Sequence, residues 1–194
     1  DPTCSGGSTA SLADCVFDGN SAIRGGGFYA DSGSTPTIMR WSFLRNSAQA
    51  NGGGLYTFAH VNPVISDCLF EDNNADELGG GIYAYMKDGL LEGLTFRNNR
   101  AFAGAGAATA TAFSPILCGG VCGPTTWRNC IFEGNVADTG GAIYGNYRTQ
   151  HDFSNVRFLG NTATGWAGGG FYLSGEDTDV TMTDFSFEHN VSPA

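Results

Sequence analysis

The chain carries a single lysine among 194 residues, and only 14% of its residues are charged. A basic groove cannot be built from so few cations, and the net charge of −10 speaks against sequence-independent nucleic-acid binding. The charged faces of surface helices are missing as well. No apolar run approaches the roughly 18 to 20 residues of a membrane span. The opening Asp1-Pro2-Thr3-Cys4 lacks the basic and apolar regions of a signal peptide, which reads as a mature or excised chain. Glycine, by contrast, is abundant at 30 residues, and 41% of the chain is hydrophobic. Such a composition disfavours helix and still leaves apolar material for a buried β core.

One short pattern, Phe-x-x-Asn, occurs at Phe17/Asn20, Phe43/Asn46, Phe70/Asn73, Phe96/Asn99, Phe132/Asn135, Phe158/Asn161 and Phe187/Asn190. Successive copies are 26, 27, 26, 36, 26 and 29 residues apart. Two residues after each Asn stands Ala22, Ala48, Ala75, Ala101, Ala137 or Ala163, with Ser192 in the last copy. A glycine cluster with an apolar residue and Tyr follows, as in Gly25-Gly26-Gly27-Phe28-Tyr29 and Gly79-Gly80-Gly81-Ile82-Tyr83. It degenerates once, to Gly104-Ala105-Gly106-Ala107-Ala108.

Two residues before each Phe lies Cys15, Trp41, Cys68, Leu94, Cys130, Val156 or Phe185, and five before it Leu12, Ile38, Ile65, Leu91, Trp127, Phe153 or Met182. A spacing of two is strand periodicity, and the shift to three marks a corner at Asp14, Arg40, Asp67, Gly93, Asn129, Asn155 and Asp184. Each copy therefore reads as a bent ribbon of three short strands. A unit this short cannot bury its own apolar face, so copies must stack and share a core. A propeller blade needs about 40 residues or more, and a leucine-rich repeat needs a Leu-x-x-Leu-x-Leu frame that is absent here. The expected fold is all-β: one right-handed, single-stranded parallel β-helix of about seven coils over residues 1–194, the seven Phe stacked in one buried column. The seven Asn form a corner ladder, since an inward amide can bond its own backbone and the neighbouring coil. Both columns recur in every copy, which marks them as scaffold.

With Gly140-Gly141-Ala142-Ile143 verbatim, near matches in other copies and Phe-x-x-Asn throughout, the chain resembles the repeats of the chlamydial polymorphic outer-membrane proteins. The resemblance implies a right-handed parallel β-helix exported to a cell surface, often as an autotransporter passenger with adhesive function.

Cys15, Cys68 and Cys130 share one core column but lie two coils apart, about 9.6 Å, too far for a disulfide. Cys118 and Cys122 sit in the lengthened coil and are the leading pair; Cys4 with Cys15 and Cys122 with Cys130 stay open. His60, His151 and His189 have no zinc-like spacing to the cysteines. Acidic residues gather at Asp72, Asp76 and Glu77 and at Glu176, Asp177 and Asp179, where solvated turns explain them more simply than calcium. Lys87 stands with Tyr85 and Asp88 in no recognisable constellation. No catalytic, cofactor-binding or metal-ligating residue is singled out, and no cofactor is implied.

Tyr29, Tyr56, Tyr83, Tyr144 and Tyr172 alternate with inward apolar residues and form an outward column, a surface for glycans or proteins or a simple stack of rings. The sequon Asn190-Val191-Ser192 falls on the inward ladder and precedes Pro193, which disfavours glycosylation. Regular Thr rows of an ice-binding face are missing; Thr57, Thr95, Thr109 and Thr162 occupy unrelated positions. The expectation is a non-catalytic extracellular or cell-surface structural or adhesive module, with glycans or host and surface proteins as partners. A protomer of a head-to-tail filament and a polysaccharide lyase or hydrolase on the same scaffold are the alternatives. Joined to a second copy, the last repeat closes after Asn190 through Gly6-Gly7 at nearly the prevailing interval, so open ends are expected to be continued by further coils or by a copy stacked head to tail.

Overall fold

The computed structural model describes residues 11–31, 34, 36–58, 63–85, 89–110, 124–146, 150–175 and 179–193. Among them the chain winds as a right-handed parallel β-helix with no helical element. Each complete coil has four strands rather than three, as in Ser11–Ala13, Val16–Asp18, Ser21–Ala22 and Phe28–Ala30. The extra strand is only two residues long in the early coils, between the Asn corner and the glycine cluster, too short to show a period. Five coils carry four separate strands; in the sixth the first two positions merge into Gln150–Leu159, and the seventh contributes one long strand, Asp179–Glu188, that spans the same two positions.

Every ladder is parallel, and the Phe strands stay in register with the sequence repeat. Phe17 pairs Phe43, Phe43 pairs Phe70, Phe70 pairs Phe96, Phe96 pairs Phe132, and Phe158 pairs Phe187. The 36-residue interval therefore leaves the stack undisturbed; its excess falls between strands Ala107–Ala110 and Thr125–Arg128. Cys118 and Cys122 lie there, outside the described residues, as does Cys4.

Left-handed backbone explains the corners. Asp14, Arg40, Asp67, Gly93, Asn129, Asn155 and Asp184 all have φ between 51° and 65°. A second corner, not anticipated from the sequence, uses the residue before each Asn: Gly19, Arg45, Asp72, Asn98, Gly134, Gly160 and His189. The first glycine of each cluster makes a third, with φ of 60° to 70° at Gly25, Gly52, Gly79, Gly104, Gly140 and Gly168. Glycine, Asn and Asp tolerate this region best, so the rotation of the chain at each corner is written into these columns.

Phe43, Phe70, Phe96, Phe132 and Phe158 are fully buried, and neighbouring rings stack at 4.7 to 5.2 Å. The two outer members differ from the expectation: Phe17 is partly buried, and Phe187 is 44% exposed. Among the described residues each has a stacked Phe on one side only. The Asn ladder runs through all seven copies. Each side-chain amide from Asn20 to Asn161 donates to the Oδ1 of the next Asn at 2.8 to 3.0 Å. From Asn46 onward the side-chain amide also donates to the carbonyl of the Phe in the previous coil, for example Asn73 Nδ2 to Phe43 O at 2.8 Å. Both protons are thus used from Asn46 to Asn161, and the Oδ1 also accepts a backbone N–H from the adjacent coil.

Candidate functional site

Of the three core-column cysteines, Cys68 and Cys130 are buried and Cys15 is half-buried, all as free thiols. Burial pushes the thiols of Cys68 and Cys130 up, to about 11 and about 12, which makes these two poor nucleophiles. The interior is less regular at His151, a buried polar side chain that no other coil repeats. This buried imidazole accepts a hydrogen bond at Nδ1 from Trp127 Nε1 at 3.1 Å and stands 3.2 Å from Thr109 Oγ1 through Nε2. Since Trp127 can only donate, the neutral ring carries its proton on Nε2 and donates it to Thr109. Burial lowers the pKa of His151 to about 4.

The tyrosine column is stacked but not uniformly outward. Tyr29, Tyr56 and Tyr83 rings lie 5.1 Å apart, and Tyr144 and Tyr172 lie 5.7 Å apart. Tyr29 is exposed, while Tyr83, Tyr144 and Tyr172 are half-buried. Tyr56 departs furthest from the expected surface ladder, at 3% exposure. Phe58 stacks against it at 6.2 Å, and the Arg24 guanidinium stands 5.9 Å from its centroid. Burial raises the hydroxyl pKa of both Tyr56 and Tyr83. The column is chiefly a stabilising stack, with Tyr29 as its open end.

The acidic residues do not converge. Among the described residues no group of three His, Cys, Asp or Glu side chains could hold a metal ion. Glu176 and Asp177 lie outside the described residues, as do His60, Lys87 and Asp88. Several carboxylates instead pair across coils with arginines: Asp14 with Arg40 at 2.8 Å, Asp18 with Arg45, and Arg97 between Glu71 and Glu133 at 3.4 and 3.0 Å. All of these are substantially exposed.

The feature the sequence reading missed lies on the outer face of the third strand position. There Ala48, Ala75, Ala137 and Ala163 point inward and are buried. The next residue in each coil is outward: Ile23, Gln49, Asp76, Phe102, Asp138 and Thr164. No residue type repeats in adjacent coils of this row. Phe102 is 60% exposed, and with Asp76 and Asp138 on the coils to either side it lines a shallow concavity of about 460 Å³. Arg100 and Asn74, paired neighbours on adjacent strands, form a second side. Beside Asp138 the pairing of Val136–Thr139 with Thr162–Ala167 slips, so that Thr139 faces Ala167 while Ala137 faces Ala163. A Cβ at Gly165 would stand 2.5 Å from an Asp138 carboxylate oxygen, so only glycine leaves that carboxylate its place. The available signal was the variable column itself, three residues after each ladder Asn, together with the two-residue extension of the coil that carries Gly165.

Stacked parallel coils, left-handed corners and a continuous Asn ladder define a β-helix. The family model of the right-handed β-helix region matches residues 3–117, more than half of the chain, and the protein belongs to that family. The chlamydial polymorphic membrane protein repeat matches residues 129–146, the stretch with Phe132, Asn135 and Gly140-Gly141-Ala142-Ile143. No curated protein and no solved structure matches the chain.

Proposed function

We propose that the protein is a non-catalytic extracellular or cell-surface module whose rigid β-helix displays outward side chains to glycans or to surface proteins. One observation carries this reading: the inward Phe and Asn columns repeat from coil to coil, while the outward row Ile23, Gln49, Asp76, Phe102, Asp138 and Thr164 does not. Repetition serves packing, and a surface that varies on a fixed backbone serves recognition. The match to the chlamydial repeat supports a surface location. The low content of ionisable groups and the mutual pairing of exposed arginines and carboxylates support binding over catalysis. No helix of the described residues is long and apolar enough to cross a membrane.

An antibody raised against the folded chain should label intact cells of the source organism without lysis. Incubation with acidic and neutral polysaccharides, with and without Ca²⁺, should yield no new reducing ends and no unsaturated products. Labelling only after permeabilisation would refute the surface location, and sustained product release would refute the non-catalytic assignment.

A further inference from the structure

We propose that the concavity around Phe102 binds a neutral hexose unit of a glycan chain, a proposal that rests on the surface-module reading and gives it a ligand class. Phe102 keeps 60% of its surface in solvent although it stands in the middle of a β-sheet face. An exposed ring there contributes nothing to the core, and its flat apolar face suits the C–H face of a pyranose. Its flanks suit the rest of the sugar. Asp76 and Asp138 stand on the coils to either side of Phe102, about 9.6 Å apart along the stack, a span that brackets one ring lying on Phe102. Carboxylates are acceptor-only, so they take protons from sugar hydroxyls, while Arg100 and Asn74 offer donors to hydroxyl or ring oxygens. Mixed donors and acceptors around one apolar platform on rigid strands are what a small-molecule subsite requires.

Two further features separate this site from an ordinary acidic turn. The register slip and the small Gly165 occur where Asp138 needs room, and such irregularities re-aim side chains at sheet sites. The charge selects the ligand class: two carboxylates against one guanidinium, in a chain of net charge −10, repel uronates and sialylated glycans.

The test is calorimetric titration of the full chain with hexasaccharides of β-1,4-linked glucose, mannose and galactose, with sialyllactose and trigalacturonate as acidic probes. At least one neutral hexasaccharide should bind, and neither acidic probe should. Phe102→Ala should weaken binding by about tenfold or more, given the contribution of an aromatic platform. Asp138→Asn and Gly165→Ala should weaken it as well, the latter by displacing the carboxylate while every polar group is retained. Thermal unfolding of each variant separates loss of the site from loss of the fold; a variant that unfolds is replaced by Phe102→Leu, which removes the ring and keeps apolar bulk. Binding of no neutral hexasaccharide, tighter binding of an acidic probe, or equal affinity in folded Phe102 variants would overturn the proposal. The antibody labelling of intact cells reads the surface location independently, so either reading can fail alone.

Discussion

The inside of this β-helix and the outer face of its third strand position are built from the same coils and obey different rules. Inside, Phe43, Phe70, Phe96, Phe132 and Phe158 stack ring on ring, and each ladder Asn repeats the bonds of its neighbours. Outside, the row from Ile23 through Phe102 to Thr164 changes at every coil. A Phe or Asn that must match the coil above and below cannot vary alone, whereas the residues of this outer row stack on no copy of themselves. The interior therefore holds the stability, and the outer row is free to hold specificity.

The sharpest way to break this comparison uses one residue type in both settings. Phe70→Ala removes a ring stacked between two others and should lower unfolding free energy by about 3 to 5 kcal/mol, measured by urea denaturation. Phe102→Ala should stay within about 0.5 kcal/mol of the wild type in the same measurement. Equal losses would show that the outer row is structural too.

His151 is an interior residue that does not repeat, and it should make the core sensitive to acid. Its pKa falls from an ordinary value of 6.5 to about 4 in the fold, so the unfolded chain binds a proton that the native protein refuses between those limits. Stability from this group is complete above pH 6.5 and decreases as pH falls toward about 4, by about 3 kcal/mol in total. Thermal melts of the wild type and His151→Gln across that window should diverge in slope, with the variant flatter. Parallel slopes would remove His151 as the cause.

Within the ladder, Asn73→Ala strips the partner from Phe43 O and from the Asn46 and Asn99 side chains, and should lower stability by about 1 to 3 kcal/mol. Binding at the outer face should persist at temperatures where the variant stays folded. The smallest effect is expected on the exposed ion pairs: Arg97→Ala, which separates Glu71 from Glu133, should cost less than about 1 kcal/mol and matter less in salt.

Legibility in the sequence follows the same division. The Phe and Asn columns could be read because parallel stacking copies an inward residue into the next coil at a fixed interval. The corner at Asp14, Arg40 and Asp67 was legible through residue types that tolerate left-handed backbone. The strand Ser21–Ala22 and its successors were not, since two residues carry no period. Tyr56 was misjudged because its cover, Phe58 and Arg24, comes from non-repeating positions. His151 finds Thr109 and Trp127 across 42 and 24 residues, an association that no repeat interval encodes. The Phe102 concavity was hidden because a search for repetition discards the column that varies.

The division between interior and outer row is tested most directly by a stability scan of all single substitutions, scored by protease resistance of the folded chain. Sensitivity should peak at the buried Phe and Asn columns and the left-handed first glycines, coil after coil. Gln49, Asp76, Phe102 and Thr164 should accept most residues without loss of resistance. A scan in which this outer row proved as intolerant as Phe43, Phe70 and Phe96 would contradict the account.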